Sequence, residues 1–356
     1  MAQRVRQRKT PEEIVEEIEA AEIEDDRPVE FIHSGSTVLN LAGSQRAKNG
    51  GWARGRIANI VGDGSSGKTL DALETANRFY RDMPGRKSDL FPTVRKVDIT
   101  YNNVEGVMDF PVGKMYGKDF LKSVNWIRTA TVEAFGRDVK RRADEMQEGD
   151  SHLYIIDSFD GLKSAKEVEQ FKNEEDQEGY RLEKARYTSE FFRNIADYIE
   201  DRDMTIVIVS QTRTRIGVTF GKKKYRTGGE ALNFWTHQVC WLSERKKLFR
   251  TIGGRRLDWG IRVVGKFERN KVSIPFREGE FLVIFNYGID DLQTMLDFLY
   301  GPEEKRVTFD GKPFSSKRGL YEWAMKNDAV GGIISAVEEK WFTAEKKLEV
   351  ERIPKY

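Results

Sequence analysis

Apolar residues in this chain follow two alternating patterns, one typical of buried strands and the other typical of amphipathic helices. Short segments predict strands at residues 55–61, 96–101, 153–156 and 205–210. Longer segments predict helices at residues 131–147 and 180–201. Strands that alternate with helices indicate a mainly parallel, doubly wound sheet. We therefore expect an α/β fold.

The pattern changes in the second half of the chain. From about residue 236, strand-like segments follow one another through short turns, and Gly253-Gly254 marks the clearest hairpin. This part predicts an antiparallel extension of the same sheet. After about residue 300, an Asp-Gly turn and two helical stretches indicate a small separate module. The predicted divisions are an N-terminal arm at 1–32, a core at 33–300 and a C-terminal module at 301–356.

The N-terminal arm has a segregated charge. Residues 1–10 carry four basic residues and no acid, whereas residues 11–26 carry nine acids. A capping-box start and apolar positions at helical spacing predict a short amphipathic helix at about 11–22. Its apolar stripe is too narrow for independent folding. The helix is therefore expected to dock either on its own core or on a neighbouring subunit.

Composition narrows the class of protein. The chain has 356 residues, of which 38% are hydrophobic, and this is sufficient for a sizeable core. Lys and Arg total 60 and Asp and Glu total 58, so the net charge does not indicate whether a nucleic acid is a partner, and only the placement of the charges can do so. Cys240 is the only cysteine, which excludes an intrachain disulfide. We see neither a secretory signal nor an apolar run of about 20 residues, and expect a cytoplasmic protein without a membrane segment.

A glycine-rich loop follows the first predicted core strand. Its pattern is G-x-x-x-x-G-K-[ST], in which small residues let backbone N–H groups surround phosphate oxygens at a helix N-terminus. The predicted nucleotide-binding residues are Gly62, Asp63, Gly64, Ser65, Ser66, Gly67, Lys68 and Thr69. Lys68 would reach the outer phosphates, and the Thr69 hydroxyl would bind Mg²⁺. ATP and Mg²⁺ are therefore the expected cofactors.

A carboxylate ends the apolar strand at residues 153–156. Asp157 should emerge at the carboxyl edge of the sheet, where parallel α/β folds place their ligand sites, beside the phosphate loop. A carboxylate in that position commonly holds the nucleotide's magnesium ion. We therefore expect Asp157 to bind the Mg²⁺ through water, as the partner of Thr69.

Five further segments carry a family resemblance. They are residues 34–41, 55–57, 101–109, 211–234 and 265–276. In this order they resemble the RecA family of strand-exchange ATPases, and 211–234 matches the family's second DNA-binding loop without a gap. The resemblance covers about residues 33–300. It implies a RecA-like core, single-stranded DNA and homologous duplex DNA as partners, and a homo-oligomeric helical filament. The short N-terminus and the C-terminal module look more like phage or divergent members, for which the location would be the bacterial host cytoplasm.

The resemblance also implies roles for residues near the nucleotide. Glu105 would orient the attacking water as a base, and Gln211 would sense the γ-phosphate and pass its state to the following loop. Arg269 and Lys271 would act in trans on the neighbouring subunit's ATP, as arginine fingers do. With Lys68, these are the expected catalytic residues. The alternatives are that Glu105 is an ordinary loop acid and that Gln211 is a polar strand cap. Arg269 and Lys271 could instead belong to a solvated basic strand.

The segment that follows Gln211 is basic. Residues 212–228 contain six cations and no acid, interleaved with glycines and aromatic residues that can approach phosphates and stack on bases. The residues expected to bind DNA are Arg213, Arg215, Gly217, Phe220, Lys222, Lys223, Lys224, Arg226, Gly228 and Gly229, together with Arg193 on the preceding helix. Glu230 and Val112 depart from the family, which has a DNA-contacting Asn and an adenine-stacking Tyr there. The first DNA loop, about 163–180, is acid-rich, so its contacts are not carried over.

A second basic cluster lies on the predicted hairpin around Gly253-Gly254. Its members are Arg245, Lys246, Lys247, Arg250, Arg255 and Arg256. These residues either hold duplex DNA or form a solvated ribbon, and the sequence does not decide between the two.

The leading functional hypothesis is an ATP-dependent DNA recombinase with DNA-dependent ATPase activity. One alternative is a hexameric helicase or motor of the same fold, which does not predict the match at 216–234. Another is a filament-forming protein that binds or anneals single-stranded DNA and uses ATP only to gate assembly. A loading mediator and a single-stranded DNA-binding protein are further expected partners.

Overall fold

A computed structural model describes residues 28–106, 108, 110–173, 180–214, 224–226, 232 and 234–350 of the chain. The helix predicted at 11–22 lies outside the described residues. The strands are β1 (Phe31–Ile32), β2 (Trp52–Ala53), β3 (Ile57–Gly62), β4 (Lys96–Asn103), β5 (Val124–Ile127), β6 (Asp150–Asp157), β7 (Met204–Thr214), β8 (Lys224–Arg226), β9 (Gln238–Ile252), β10 (Arg255–Asn270), β11 (Glu278–Ile284), β12 (Gly288–Ile289), β13 (Val307–Phe309) and β14 (Lys312–Phe314). The α-helices are α1 (Thr37–Ser44), α2 (Lys68–Asp82), α3 (Val112–Met115), α4 (Lys118–Ser123), α5 (Val132–Glu145), α6 (Ala165–Asn173), α7 (Tyr180–Glu200), α8 (Asp291–Tyr300), α9 (Lys317–Lys326) and α10 (Val330–Lys346).

One large sheet organises the molecule. Within the described part of the chain it has ten strands in the order β12-β11-β10-β9-β3-β7-β6-β4-β5, with β8 paired to β7. The parallel part of the sheet comprises six strands in the order β9-β3-β7-β6-β4-β5. Strands β10, β11 and β12 extend the sheet in antiparallel fashion. This arrangement confirms the predicted α/β fold with a mainly parallel sheet and an antiparallel extension.

The strand register sets which residues meet at the carboxyl edge of the sheet. Gly62 at the end of β3 pairs with Gln211 of β7. Asn103 at the end of β4 pairs with Asp157 at the end of β6. Because the strands are parallel, the segments that follow these residues all leave the sheet on the same side. The phosphate loop, Glu105, Asp157 and Gln211 are thereby brought to one edge.

Two apolar layers cover the sheet. On one face, α1 and α2 pack with the antiparallel extension around buried Leu39, Leu73 and Phe267. On the other face, α5 and α7 pack around buried Phe135 and Phe192. All six residues of β3 are buried, as expected for a central parallel strand covered on both sides. The layers hold β3 rigidly beneath the phosphate loop.

Residues 301–346 pack against the core. The β13–β14 hairpin turns at Asp310 and Gly311, which have φ angles of 49° and 70°. Leu320, Ile333 and Val337 belong to the same apolar layer as α1 and α2. The division of the chain at about residue 300 stays a prediction.

Several elements differ from those predicted. β7 extends to Thr214 rather than ending at residue 210, so the strand carries the first residues of the basic segment. The acid-rich stretch that was expected to be a loop contains α6. β9 and β10 are 15 and 16 residues long and form an extended hairpin. Among the described residues, no helix combines the length and apolarity needed to cross a bilayer.

Candidate nucleotide and DNA site

The phosphate loop has the geometry of an anion cradle. Gly67, the residue before α2, has a φ of 84°, which strongly favours glycine. A Cβ at Gly62 would lie 2.2 Å from Ser66 Oγ and 2.7 Å from the Leu242 carbonyl oxygen, so no larger residue fits there. The loop is closed by the Ser66 N–H, which donates to the Asp63 carbonyl oxygen at 3.2 Å. The first turn of the 15-residue helix α2 then directs its free N–H groups at the loop, which suits a phosphate.

Lys68 lies inside the cradle. Its Nζ donates to the Asp63 carbonyl oxygen at 2.5 Å, and the residue is buried. Burial lowers the pKa of the Lys68 ammonium, although the nearby carboxylates Asp157, Asp63, Glu105 and Asp160 act in the opposite direction. A phosphate group within reach would favour the charged ammonium further. The donors of this loop therefore fit the phosphates of a nucleoside triphosphate.

Thr69 and Asp157, the two residues predicted to hold Mg²⁺, are in contact. The Asp157 carboxylate accepts a hydrogen bond from the Thr69 side chain and, at 2.7 Å, from the Tyr101 hydroxyl. Burial raises the pKa of Asp157, and these two hydrogen bonds partly oppose the rise. A hydroxyl and a carboxylate oxygen are ligands that suit Mg²⁺, whose charge would favour the ionised carboxylate. The residues present therefore fit a magnesium ion.

Glu105 and Gln211 meet at the carboxyl edge of the sheet. Glu105 Oε1 accepts hydrogen bonds from Gln211 Nε2 at 2.6 Å and from the Ser158 hydroxyl at 3.0 Å. Both Glu105 and Gln211 are exposed, so a water molecule and a phosphate can reach them. The structure thus brings together the carboxylate and the amide that were predicted from separate strands.

Two side chains at this edge were missed in the sequence. The Gln211 backbone N–H donates to Asp160 Oδ2 at 2.7 Å, and the Thr212 hydroxyl donates to Asp63 Oδ1. Asp160 lies in the short turn after β6, and Thr212 is the next residue along β7. Together with the Gln211–Glu105 contact, these bonds attach the root of the basic segment to the nucleotide site. No local sequence signal pairs them, because only the strand register makes them neighbours.

Arg269 and Lys271 lie at the opposite edge of the sheet. Arg269 pairs with Val239 of β9, and Val239 lies beside Asn59, near the start of β3. From there to Gly62 the strand rises about 10 Å, at roughly 3.3 Å per residue. Lys271 Nζ donates to the Phe234 carbonyl oxygen at 2.9 Å, and Arg269 Nη2 donates to the same oxygen at 3.4 Å. These two cations therefore lie at a different edge of the sheet from the molecule's own phosphate loop.

Part of the predicted DNA segment is described. Arg213 pairs with Tyr225, and Thr212 pairs with Arg226, so β7 and β8 form a hairpin that continues from Gln211. Lys224 also lies in β8. Arg215, Gly217, Phe220, Lys222, Lys223, Gly228 and Gly229 lie outside the described residues. Phe234, just after this segment, has 63% of its surface exposed, and Arg193 on α7 is exposed as well.

Half of the second basic cluster, namely Arg250, Arg255 and Arg256, lies on a projecting ribbon. β10 pairs with β11 only from Gly260 to Lys266, so the distal parts of β9 and β10 form a two-stranded ribbon beyond the sheet. The Arg250 guanidinium lies 4.1 Å from the centre of the Trp259 ring, and that of Arg256 lies 3.9 Å from the Phe249 ring. The ribbon therefore presents cations and aromatic rings together.

Comparison with known proteins adds an independent observation. The family model for the RecA N-terminal domain matches residues 142–290, a span that contains Asp157, Gln211 and Arg269. Protein RecA of Rippkaea orientalis is 31% identical over 273 residues, which cover 76% of this chain and 69% of the relative. Protein RecA of Gloeothece citriformis is 30% identical over 273 residues, which cover 76% of this chain and 67% of the relative.

Proposed function

This chain belongs to the RecA family, and from that premise we propose that it is an ATP-dependent recombinase. It would assemble as a filament on single-stranded DNA, pair that strand with homologous duplex DNA and promote strand exchange. ATP hydrolysis would release the DNA.

One observation carries the proposal. Gln211 donates to the Glu105 carboxylate at 2.6 Å, and the strand that holds Gln211 continues without a break into the basic segment. A nucleotide phosphate that attracted the Gln211 amide would therefore also move the start of the DNA-binding segment. A shared element of this kind is what a nucleotide-controlled DNA-binding protein requires.

The residues divide the work of ATP hydrolysis. The loop from Gly62 to Thr69 would hold the triphosphate through its N–H groups and Lys68, and Thr69 and Asp157 would hold the magnesium ion, which supplies charge neutralisation. Glu105 would orient a water molecule and accept its proton at a carboxylate oxygen. Ser158 and Gln211 fix the direction of that carboxylate by donating to Oε1.

Subunits would complete one another's sites. Arg269 and Lys271 lie away from their own phosphate loop, and Lys271 is held at the Phe234 carbonyl. In a head-to-tail assembly, the edge that carries these cations can face the phosphate loop of the next subunit. There they would neutralise charge that develops on the transferred phosphoryl group.

Strand exchange between homologous oligonucleotides tests the proposal. With ATP and Mg²⁺, we expect exchange by the wild-type chain, together with ATP hydrolysis stimulated by single-stranded DNA. Glu105→Gln should lower kcat about 100-fold or more, because it removes the base while keeping the shape of the side chain. Glu148→Gln, on an exposed residue outside the site, is the matched control and should keep wild-type turnover.

Other outcomes would point to other functions. DNA-stimulated hydrolysis with fork unwinding and closed rings in electron micrographs, but without exchange, would indicate a ring-forming motor. Annealing of complementary strands with undiminished ATP turnover in Glu105→Gln would indicate a binding protein whose assembly alone depends on ATP. Either result contradicts the recombinase proposal.

A further inference from the structure

The turn that carries Glu105 is short and exposed. It follows the last residue of β4, and its backbone is held by the Val104 N–H, which donates to the Asp157 carbonyl oxygen at 2.7 Å. The Gly106 N–H donates to the Asn103 carbonyl oxygen at 3.2 Å. These bonds hold the two sides of the turn, whereas the exposed Glu105 lies between them. A third support comes from Arg128, which follows the neighbouring strand β5.

Arg128, the residue that follows strand β5, clamps this turn. Its Nε donates to the Val104 carbonyl oxygen at 3.1 Å. Its guanidinium also lies against Gly106, where an added Cβ would be 2.5 Å from both Cζ and Nη1. Gly106 has a φ of 82°, so the turn needs glycine for its backbone conformation as well as for the close approach of Arg128. The guanidinium therefore contacts the residue on each side of Glu105.

The position of Arg128 is itself fixed by β4. Ile127 pairs with Asn102, which brings Arg128 level with the end of β4. The next residue, Thr129, is tied to the same asparagine twice. The Thr129 N–H donates to Asn102 Oδ1 at 3.0 Å, and Asn102 Nδ2 donates to Thr129 Oγ1 at 2.7 Å. The base of the Arg128 side chain is thus anchored in the sheet.

A surface ion pair does not account for Arg128. The residue is exposed, and it forms no ion pair with any carboxylate in the described part of the chain. Its contacts are with the Glu105 turn, where the guanidinium plane can both donate a hydrogen bond and pack against a glycine. The contacts of Arg128 therefore indicate that it supports the Glu105 turn.

We infer that Arg128 is a positioning residue for ATP hydrolysis: it holds the Val104–Gly106 turn so that the Glu105 carboxylate faces the attacking water. The inference rests on the proposed function, because it takes Glu105 to be the base. Small displacements of a catalytic group cost large factors in rate, whereas the phosphate loop that binds ATP is separate from this turn. Loss of Arg128 should therefore affect kcat far more than KM.

Steady-state ATP hydrolysis with saturating single-stranded DNA provides the test. Arg128→Ala should lower kcat about 10-fold and leave the KM for ATP within about twofold. Arg128→Lys should stay impaired, because a lysine cannot donate from the Nε position and has no plane to pack on Gly106. Guanidinium ion in the assay should restore part of the activity of Arg128→Ala, whereas an equal concentration of sodium chloride should not. Arg141→Ala, which removes an exposed arginine paired with Glu145 on α5, is the matched control.

A double mutant shows whether Arg128 acts through Glu105. In the Glu105→Gln background, Arg128→Ala should cause no further loss, since the group that it positions is already absent. A full additional loss, a change confined to KM, or full activity of Arg128→Lys would each overturn the inference. Hydrogen exchange of the Val104 and Gly106 amides should be faster in Arg128→Ala, and this readout does not need ATP turnover. If the wild-type chain hydrolyses no ATP, the proposed function fails. The hydrogen-exchange measurement still tests whether Arg128 holds the Val104–Gly106 turn.

Discussion

At the scale of single residues, burial shifts the pKa of several groups in the sheet and the phosphate loop. Burial raises the pKa of Asp157 and lowers that of Lys68. His152, in β6 behind this edge, is also buried, and its ring nitrogen Nε2 lies 3.0 Å from Thr100 Oγ1. Burial lowers the pKa of His152 to about 4. A neutral histidine is therefore part of the folded sheet.

His152 should make the fold sensitive to acid. Its folded pKa of about 4 lies below the ordinary value of 6.5, so between these pH values the unfolded chain takes up a proton that the folded chain does not. The associated stability is present above pH 6.5 and falls as the pH drops toward 4. Urea denaturation should show that the wild-type chain loses on the order of 3 kcal/mol more than His152→Gln between neutral pH and pH 4. A difference between the two proteins that does not change with pH would contradict this account.

Local sequence patterns predicted candidate site residues, but they did not predict the neighbours of those residues. The phosphate loop is contiguous, and Asp157 follows an apolar strand, so both could be found. Asp160, Thr212 and Arg128 are polar residues at strand ends, and nothing local distinguishes them from solvated ones. Their partners lie far away along the chain. Only the order and register of the strands bring these groups together.

At the scale of elements, the strands and long helices of the core were predictable because their periodicity is strong. The short elements β5, α3 and α4 were missed, since four to six residues carry too little pattern. Helix α6 was missed although it has a capping box, in which Ser164 Oγ accepts from the Glu167 N–H at 3.1 Å and Glu167 accepts from the Ser164 N–H at 3.3 Å. The high acid content of that stretch hid this start signal.

Helix α9 should contribute to the stability of the whole chain. Leu320 is fully buried in the apolar layer that also contains Leu39 and Phe267. Leu320→Ala should lower the free energy of unfolding by about 3 kcal/mol, whereas Met325→Ala on the exposed side of the same helix should change it by less than about 0.5 kcal/mol. Circular dichroism and tryptophan fluorescence should report one transition at the same temperature. Two separate transitions, with only one shifted by Leu320→Ala, would show that residues 301–356 unfold independently.

At the scale of the whole molecule, the proposed catalytic residues lie at two different edges of the sheet. Lys68 and Glu105 lie at the carboxyl edge, whereas Lys271 lies at the other end of the strands, where the Phe234 carbonyl holds it. Under the proposed function, a single subunit would carry two different halves of a catalytic site, and head-to-tail association would bring unlike halves together. The self-association expected from the resemblance gains a structural reason from this separation.

Mixed assemblies should reveal the shared site. Lys68→Ala and Lys271→Ala should each lack turnover alone, but a 1:1 mixture should regain about one quarter of the wild-type rate, because random neighbours combine two intact halves at that frequency. A mixture of Lys68→Ala with Glu105→Gln is the control and should stay inactive, since both changes damage the same half. No recovery in the first mixture would place Lys271 outside a shared site. Recovery in the control would contradict the assignment of Lys68 and Glu105 to the same half. The measurement is ATP hydrolysis on single-stranded DNA.

The isolation of Cys240 has a practical consequence. This thiol, the only one in the chain, is fully buried in β9, and burial raises its pKa well above the ordinary range. Because the thiolate is the reactive form, Cys240 should resist maleimides and oxidants as long as the protein is folded. A cysteine introduced at an exposed position of the projecting ribbon would then be the one site to accept a fluorophore. The natural sequence thus serves directly as a background for following the ribbon by fluorescence as DNA is added.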